Sequence, residues 1–422
     1  MSIHVSNSHR IGFVESMLFF TFCILYPISG FPQSVVRFDG NRFLEVNDQP
    51  IFVIGAYDLP SGMTLREGKA MGFNLVRAPA KKEFWDEAHE PGLFVWHSFG
   101  VRLDFASETN ADKKASIKST IETFSAHPSL LFWESVDEPA WTDKNPAKAR
   151  TMPEGLVEGY RYLKSLDANH PVYLNHAPRN MVETLRRYND ACDIVCADIY
   201  PIVPRGMRTT YAITPDGRHG DLPNQTPSCV GEFVDKMKRV ADPDQAVFIV
   251  LQGFSWEAAS RKDNPDKALI VYPSSHESRF MAYNAVIHGV NGLLYWGLHS
   301  VPREHPFVDD LRRVLNELQA LTPVLVSKDT LPNPKLTYHE RGSTIAAGIE
   351  MLCMKTEDGI YLLAANTSID PAAVDFTSLP PELKSTERLK VLGEDRIVEI
   401  RNGTFFDEFE GLAVHVYRND SP

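Results

Sequence analysis

Cysteine is scarce in this chain, basic residues are not clustered, and no apolar run beyond the first thirty residues is long enough to span a bilayer. Five cysteines in 422 residues cannot build a disulfide framework. Cys23 falls in an amino-terminal apolar stretch, and Cys192, Cys196, Cys229 and Cys353 lack the paired spacing of a zinc site. Cys192 and Cys196 flank a strand-like run and read as core thiols, with a bridge to Cys229 left open in an oxidising compartment. A net charge of −12 without any lysine- or arginine-rich block argues against nucleic acid as a partner. There is no internal repeat of solenoid period. The 29 prolines and 25 glycines are dispersed, so no low-complexity linker divides the chain. A Gly-x-Ser-x-Gly elbow, a Walker loop, a dinucleotide fingerprint and a His-Glu-x-x-His helix are all missing. Serine-hydrolase, nucleotide and zinc-protease chemistry therefore lack support, and no motif asks for a cofactor.

What is present is ordinary globular sequence, 43% hydrophobic and 23% charged, long enough for one barrel-sized domain and a smaller one. The segment Met17–Ile28 (MLFFTFCILYPI) is apolar, too short to span a bilayer comfortably, and followed by Ser29 and Gly30. This is the layout of a secretory signal over residues 1–30. It predicts a secreted or periplasmic protein with no membrane contact after removal. Glu15 interrupts any longer span, which weighs against a retained anchor. Asn224-Gln-Thr and Asn366-Thr-Ser fit the pattern for glycosylation in a host that glycosylates.

From Ile51 to about Trp296, near-continuous apolar runs alternate with helical patterns, as in βα units around a sheet covered on both faces. Eight strands are expected at 51–57, 73–78, 92–98, 130–138, 171–177, 193–201, 246–254 and 292–298. Helices are expected at Ala115–Ser125, Pro153–Leu166, Ser228–Ala241 and Ser274–His288, the last opening on the capping box Ser274-x-x-Glu277. Eight parallel strands with right-handed crossovers close into a (β/α)₈ barrel. The fold class is thus α/β, a TIM barrel over 31–326 followed by a small antiparallel β-sandwich over 327–422. Ahead of the first strand, VVRFDGNRFLEVNDQP reads as a hairpin plugging the barrel floor. After Asp329–Pro334 the runs become short and alternating, with turns at Asp358-Gly and Asn402-Gly.

Active sites of such barrels gather at the carboxy-terminal ends of the strands. There the sequence offers Tyr57, Asp58, Arg77, His97, Asp137, Glu138, His176, Asp198, Tyr200, Gln252 and Trp296. Each has a plain structural explanation. Together they make a polar mouth with an aromatic platform, which suits sugars because pyranose faces pack on rings while hydroxyls hydrogen-bond. The stretch LLFWESVDEP is the most telling. Acids that end an apolar strand are costly to hold charged, although Asp-Glu-Pro could also simply cap the following segment.

From about Phe38 to Trp296 the chain resembles the glycoside hydrolases of clan A, retaining (β/α)₈ enzymes. WESVDEP resembles their fourth-strand Asn-Glu-Pro, which implies Glu138 as general acid/base with Asp137 in the asparagine position. GFNLVRA resembles the second-strand arginine pattern, implying that Arg77 holds the acidic site together. LLYW implies Trp296 under the sugar ring, and ADIYP implies Tyr200 beside the nucleophile. The seventh-strand nucleophile is replaced by Gln252, an amide that cannot form the glycosyl ester of a double displacement. Asp198 is the expected second carboxylate, ahead of Glu232, Glu257 and Glu277. The reading is a glycosidase acting on a polysaccharide or oligosaccharide, with Glu138 and Asp198 catalytic. Tyr57, Arg77, His97, Asp137, His176, Tyr200, Gln252 and Trp296 would bind the carbohydrate substrate, with no metal and no cofactor. A carbohydrate-binding barrel without activity is the alternative. A metal-assisted hydrolase using His97, His176 and Asp198 is the third.

Overall fold

The computed structural model describes residues 33–106, 110–141, 149–207, 224–260, 262–343 and 348–419; the expected leader lies outside them. Eight parallel strands close a barrel. They are β1 (Val53–Ala56), β2 (Leu75–Arg77), β3 (Phe94–Ser98), β4 (Leu130–Glu134), β5 (Val172–His176), β6 (Ile194–Ile199), β7 (Ala246–Gln252) and β8 (Gly292–Trp296). All eight expected strands are present, each shorter than its apolar run. The ring closes where β8 pairs with β1, Tyr295 opposite Ala56. A helix follows each strand: α1 (Leu65–Met71), α2 (Lys82–His89), α3 (Ala111–Phe124), α4 (Pro153–Leu166), α5 (Val182–Arg186), α6 (Cys229–Val240), α7 (Ser275–Ile287) and α8 (Pro306–Ala320). The Ser274 hydroxyl accepts from the Glu277 amide at 3.1 Å, and the Glu277 carboxylate accepts in return from the Ser274 amide at 2.8 Å. The capping box thus starts α7 as its sequence requires.

Side chains of successive strand residues alternate between two layers. Phe132, Tyr173, Cys196, Phe248 and Leu294 fill the barrel interior, while Trp133, Leu174, Val195, Ile249 and Leu293 pack outward under the helices. The amino-terminal hairpin gains a third strand (Val36–Phe38, Leu44–Val46, Gln49–Ile51), and its Val36, Leu44 and Val46 belong to the interior cluster. It is pinned from below: Asn169 Nδ2 donates to Ser34 O at 3.0 Å and Asn291 Nδ2 to Asn41 O at 2.9 Å. The hairpin thus plugs the floor, the end opposite the strands' carboxy termini.

After the barrel, a six-stranded and a three-stranded antiparallel sheet follow. Phe376, Phe405, Phe409 and Tyr417 pack between them. The outer face of the larger sheet, with Tyr361, Leu363 and Val416, joins the core of the barrel's helical layer. Polar clasps flank that contact. Arg279 on α7 forms an ion pair with Glu317 on α8 at 2.7 Å, and His288 stands 3.0 Å from Asp235 and 2.8 Å from Glu350. Cys192, Cys196, Cys229 and Cys353 are buried thiols with no disulfide among them, so the Cys229 bridge left open by the sequence is not made.

Candidate active site

The WESVDEP segment does not continue as a strand. β4 stops at Glu134, and Ser135–Glu138 lie across the mouth, held to β5 by Ser135 N to Tyr173 O at 2.8 Å and Glu138 N to Asn175 O at 2.9 Å. Glu138 adopts φ of +46°, a left-handed backbone that costs a residue with a Cβ on the order of 1 kcal/mol or more. Pro139 follows it, and Trp141 N closes the turn on Glu138 O at 3.0 Å. This turn aims the Glu138 carboxylate into a cavity of about 410 Å³ that Asp198, at the end of β6, also lines. Among the described residues these are the two acids on its wall. Arg150 Nη1 pairs with Glu138 Oε2 at 2.9 Å.

Asn175, two residues beyond interior Tyr173, joins the acids. Its Nδ2 donates to Asp137 Oδ1 at 3.0 Å and to Asp198 Oδ1 at 3.3 Å. Burial raises the Asp198 carboxyl well above the usual carboxylate range, and the charges of Glu138 and Asp137 raise it further. Carboxyl groups gathered in this way cannot all ionise cheaply, so Asp198 is the natural holder of a proton. Two residues on, Tyr200 stacks on Trp296 with ring centres 5.7 Å apart. Phe254 meets Trp296 edge-on at 4.9 Å, and Trp256 meets Tyr200 at 6.0 Å. Gly297, at φ of +91°, makes this possible, because a Cβ there would come within 2.6 Å of the Phe254 side chain.

A second polar group lies beside the first. Arg77 sits over the Tyr57 ring at 5.0 Å and reaches Asp58 at 3.7 Å. The Tyr57 and Tyr173 hydroxyls are 2.7 Å apart. Glu134, buried one layer below, accepts from Trp96 Nε1 at 2.9 Å. Burial pushes its carboxyl up to about 7, with Arg77 opposing the shift and Asp137 adding to it. Tyr57 and Arg77 open onto a separate depression with Asp58 and His299.

Three expected site residues are placed elsewhere, and alternation explains two of them. His97 follows interior Trp96 and therefore points outward, edge-on to Trp133 and Phe99, with Nδ1 2.8 Å from Ala78 O. His176 follows interior-facing Asn175 and is fully buried by Tyr188. Burial and nearby Lys236 push it down to about 3, so it is neutral. The two histidines and Asp198 therefore form no common ligand set. Gln252 is 1% exposed, and its amide is occupied by backbone. Oε1 accepts from Ile202 N at 2.9 Å, while Nε2 donates to Ile202 O and Phe254 O, each at 3.0 Å. It ties the β6 and β7 loops together and does not line the cavity.

The other acids are engaged too. Glu232 accepts from Asn224 at 2.9 Å, Glu257 pairs with Lys262 at 2.7 Å, and Glu277 caps α7. Both asparagines of the glycosylation patterns are buried with their amides donating inward, Asn224 to Ser228 and Asn366 to Asp370 O. Sequence reading missed Glu134 and Asn175. Counting two residues on from Phe132 and Tyr173 would have found both.

No family model and no curated relative matches the sequence. Solved structures do share its fold. An Anoxybacillus α-amylase is 10% identical with a TM-score of 0.52, the match covering 88% of this chain and 98% of that one. A family 39 glycoside hydrolase from Bacteroides cellulosilyticus is 12% identical with a TM-score of 0.51, covering 91% of this chain and 82% of that one. The chain shares with them the eight-stranded parallel barrel followed by antiparallel sheets.

Proposed function

We propose that this protein is a glycoside hydrolase in which Glu138 and Asp198 are the reacting carboxyl pair. The observation that carries this reading is their meeting, Glu138 from the turn after β4 and Asp198 from the end of β6, on the wall of one cavity that also presents Trp141, Tyr200 and Trp256. Hydrolysis of a glycosidic bond needs one carboxyl group to protonate the leaving oxygen and another to attack carbon or activate water. The resemblance of WESVDEP to the clan A motif puts the donor role on Glu138. The raised Asp198 carboxyl, lifted by desolvation and by the charges of Glu138 and Asp137, favours the donor role there instead, with Glu138 paired to Arg150. Tyr200 and the indoles would offer faces to the sugar ring. That two fold neighbours are by name an α-amylase and a glycoside hydrolase agrees with this reading. Export through the amino-terminal leader belongs to the same proposal, and mass spectrometry of the mature amino terminus tests it.

The test is turnover of a panel of aryl glycosides and oligosaccharides by the Glu138→Gln and Asp198→Asn variants. Each should lose about a thousandfold or more of kcat. A variant that azide rescues to a glycosyl azide of inverted configuration has lost the nucleophile, and this decides which acid plays which part. A non-catalytic carbohydrate-binding barrel is the second reading, favoured by one observation: the amide of Gln252, which the clan A resemblance would put in the nucleophile's place, is locked to backbone. Glycan binding with no turnover in the unaltered protein would establish it.

A further inference from the structure

One residue of β5 touches all three acids of the mouth. β5 lies between β4 and β6 in the ring, and Asn175 is buried near its end, 5% exposed. Its Nδ2 donates both to Asp137 Oδ1 at 3.0 Å and to Asp198 Oδ1 at 3.3 Å. Its backbone carbonyl accepts from the Glu138 amide at 2.9 Å, at the left-handed turn. Turned over, the side-chain amide would set Oδ1 against two carboxyl groups, which offer a hydrogen only when each holds a proton. The orientation therefore follows from the neighbours. Its cost shows on the other side, where Asn175 Oδ1 is buried and finds no donor among the described residues. A buried acceptor without a donor weakens a fold, and a leucine of similar shape would avoid the loss. An amide kept here in spite of that points to a part in the chemistry of the acids it holds.

We propose that Asn175 is the positioning residue of the Glu138 and Asp198 pair. Its amide fixes the Asp198 carboxyl through one oxygen, its carbonyl fixes the turn that carries Glu138, and together they set the separation at which both meet a glycosidic bond. This rests on the glycosidase reading above. A misplacement of about 1 Å between reacting groups can cost on the order of a hundredfold in rate. The bond from Asn175 also favours the charged form of Asp198, against burial and the charges of Glu138 and Asp137. Cys196 and Tyr200 face Asp198 from β6 itself, and Arg179, Arg205 and Cys229 share its cavity wall. All of these stay unaltered in the test.

The experiment uses the full chain with Asn175→Leu, which keeps the shape and removes the donor, and Asn175→Ser as a smaller second replacement. Turnover of the aryl glycoside that the unaltered protein uses best is followed as a function of pH. The Asp198 carboxyl is titrated by carbon-13 NMR, its signal assigned by its loss in Asp198→Asn. Each Asn175 variant should lower kcat by about tenfold to a hundredfold, with KM changed by less than about twofold. The limb of the pH profile that belongs to Asp198 and its NMR midpoint should both move up by about half a unit or more, while circular dichroism shows the fold intact. An unchanged kcat, or a loss of kcat with both the profile and the NMR midpoint unmoved, overturns the inference while the glycosidase reading stands. If the unaltered protein turns over nothing, the glycosidase reading falls and the NMR midpoint alone judges Asn175. An upward move in both variants then keeps it as the residue that holds Asp198, and no move overturns the inference as well.

Discussion

Two aspartates in this molecule, Asp407 buried in the β-sandwich and Asp198 half-buried on the cavity wall, have opposite surroundings. Asp407, in the β-sandwich, is also desolvated, yet it is pulled down to about 2 because His415, Arg396 and the Tyr417 hydroxyl all satisfy its charge. Arg396 grips it with two bonds of 2.9 Å, and Tyr417 donates at 2.5 Å. Asp198, at the barrel mouth, has the Asn175 amide at 3.3 Å and like charges from Glu138 and Asp137. A desolvated acid supplied with partners reinforces the fold. One set among other acids is held at a cost that the surrounding barrel must carry, and such sites are where chemistry is found.

The comparison is broken most severely if Asp198→Asn proves neutral for activity. We expect turnover to fall by about a thousandfold, while the thermal midpoint above neutral pH holds or rises because an uncharged amide replaces a disfavoured carboxylate. Asp407→Ala should do the reverse. It leaves Arg396 without its bidentate partner and should cost about 2–4 kcal/mol in unfolding free energy, scaled down for the partial exposure of that arginine. Turnover per folded molecule should be unchanged, and denaturant titration beside an activity assay reads both.

Gln252→Glu sharpens the contrast from the other side, since it puts a new carboxylate at the end of β7. In this barrel the change opposes a carboxylate to the carbonyls of Ile202 and Phe254, which now accept from Nε2. A loss of about 2 kcal/mol of stability with no gain in turnover is expected; a gain would show that the loop bracket can give way.

An effect of similar size belongs to Glu134. Its folded-state value of about 7 lies above its ordinary 4.5. The folded protein therefore keeps a proton that the unfolded chain releases, and stability is lost as pH rises through that window. Glu134→Gln retains an acceptor for Trp96 and cannot ionise. Its stability relative to the parent should rise by about 2 kcal/mol between pH 5 and pH 8, seen as diverging thermal midpoints.

The sequence by itself determined the architecture. Eight apolar runs at βα spacing, Ser274 with Glu277 at the start of α7, and short alternating runs after Asp329 each carry their instruction locally, in hydrophobic period and capping chemistry. It also marked the Glu138 segment, because acids beside an apolar strand are conspicuous in one dimension. It could have separated His97 from Trp96 and His176 from Asn175, since alternation is a local rule. Only the tertiary structure decided which loop partners meet. The bond of Gln252 to Ile202 spans 50 positions, and that of Asn175 to Asp198 spans 23. The left-handed turn at Glu138 exists because β5 carbonyls take its amides. Proton affinities at the mouth follow from the same closure. The charges that lift Asp198 come from the segment after β4, across β5 from β6, and distance through space, not along the chain, sets their strength.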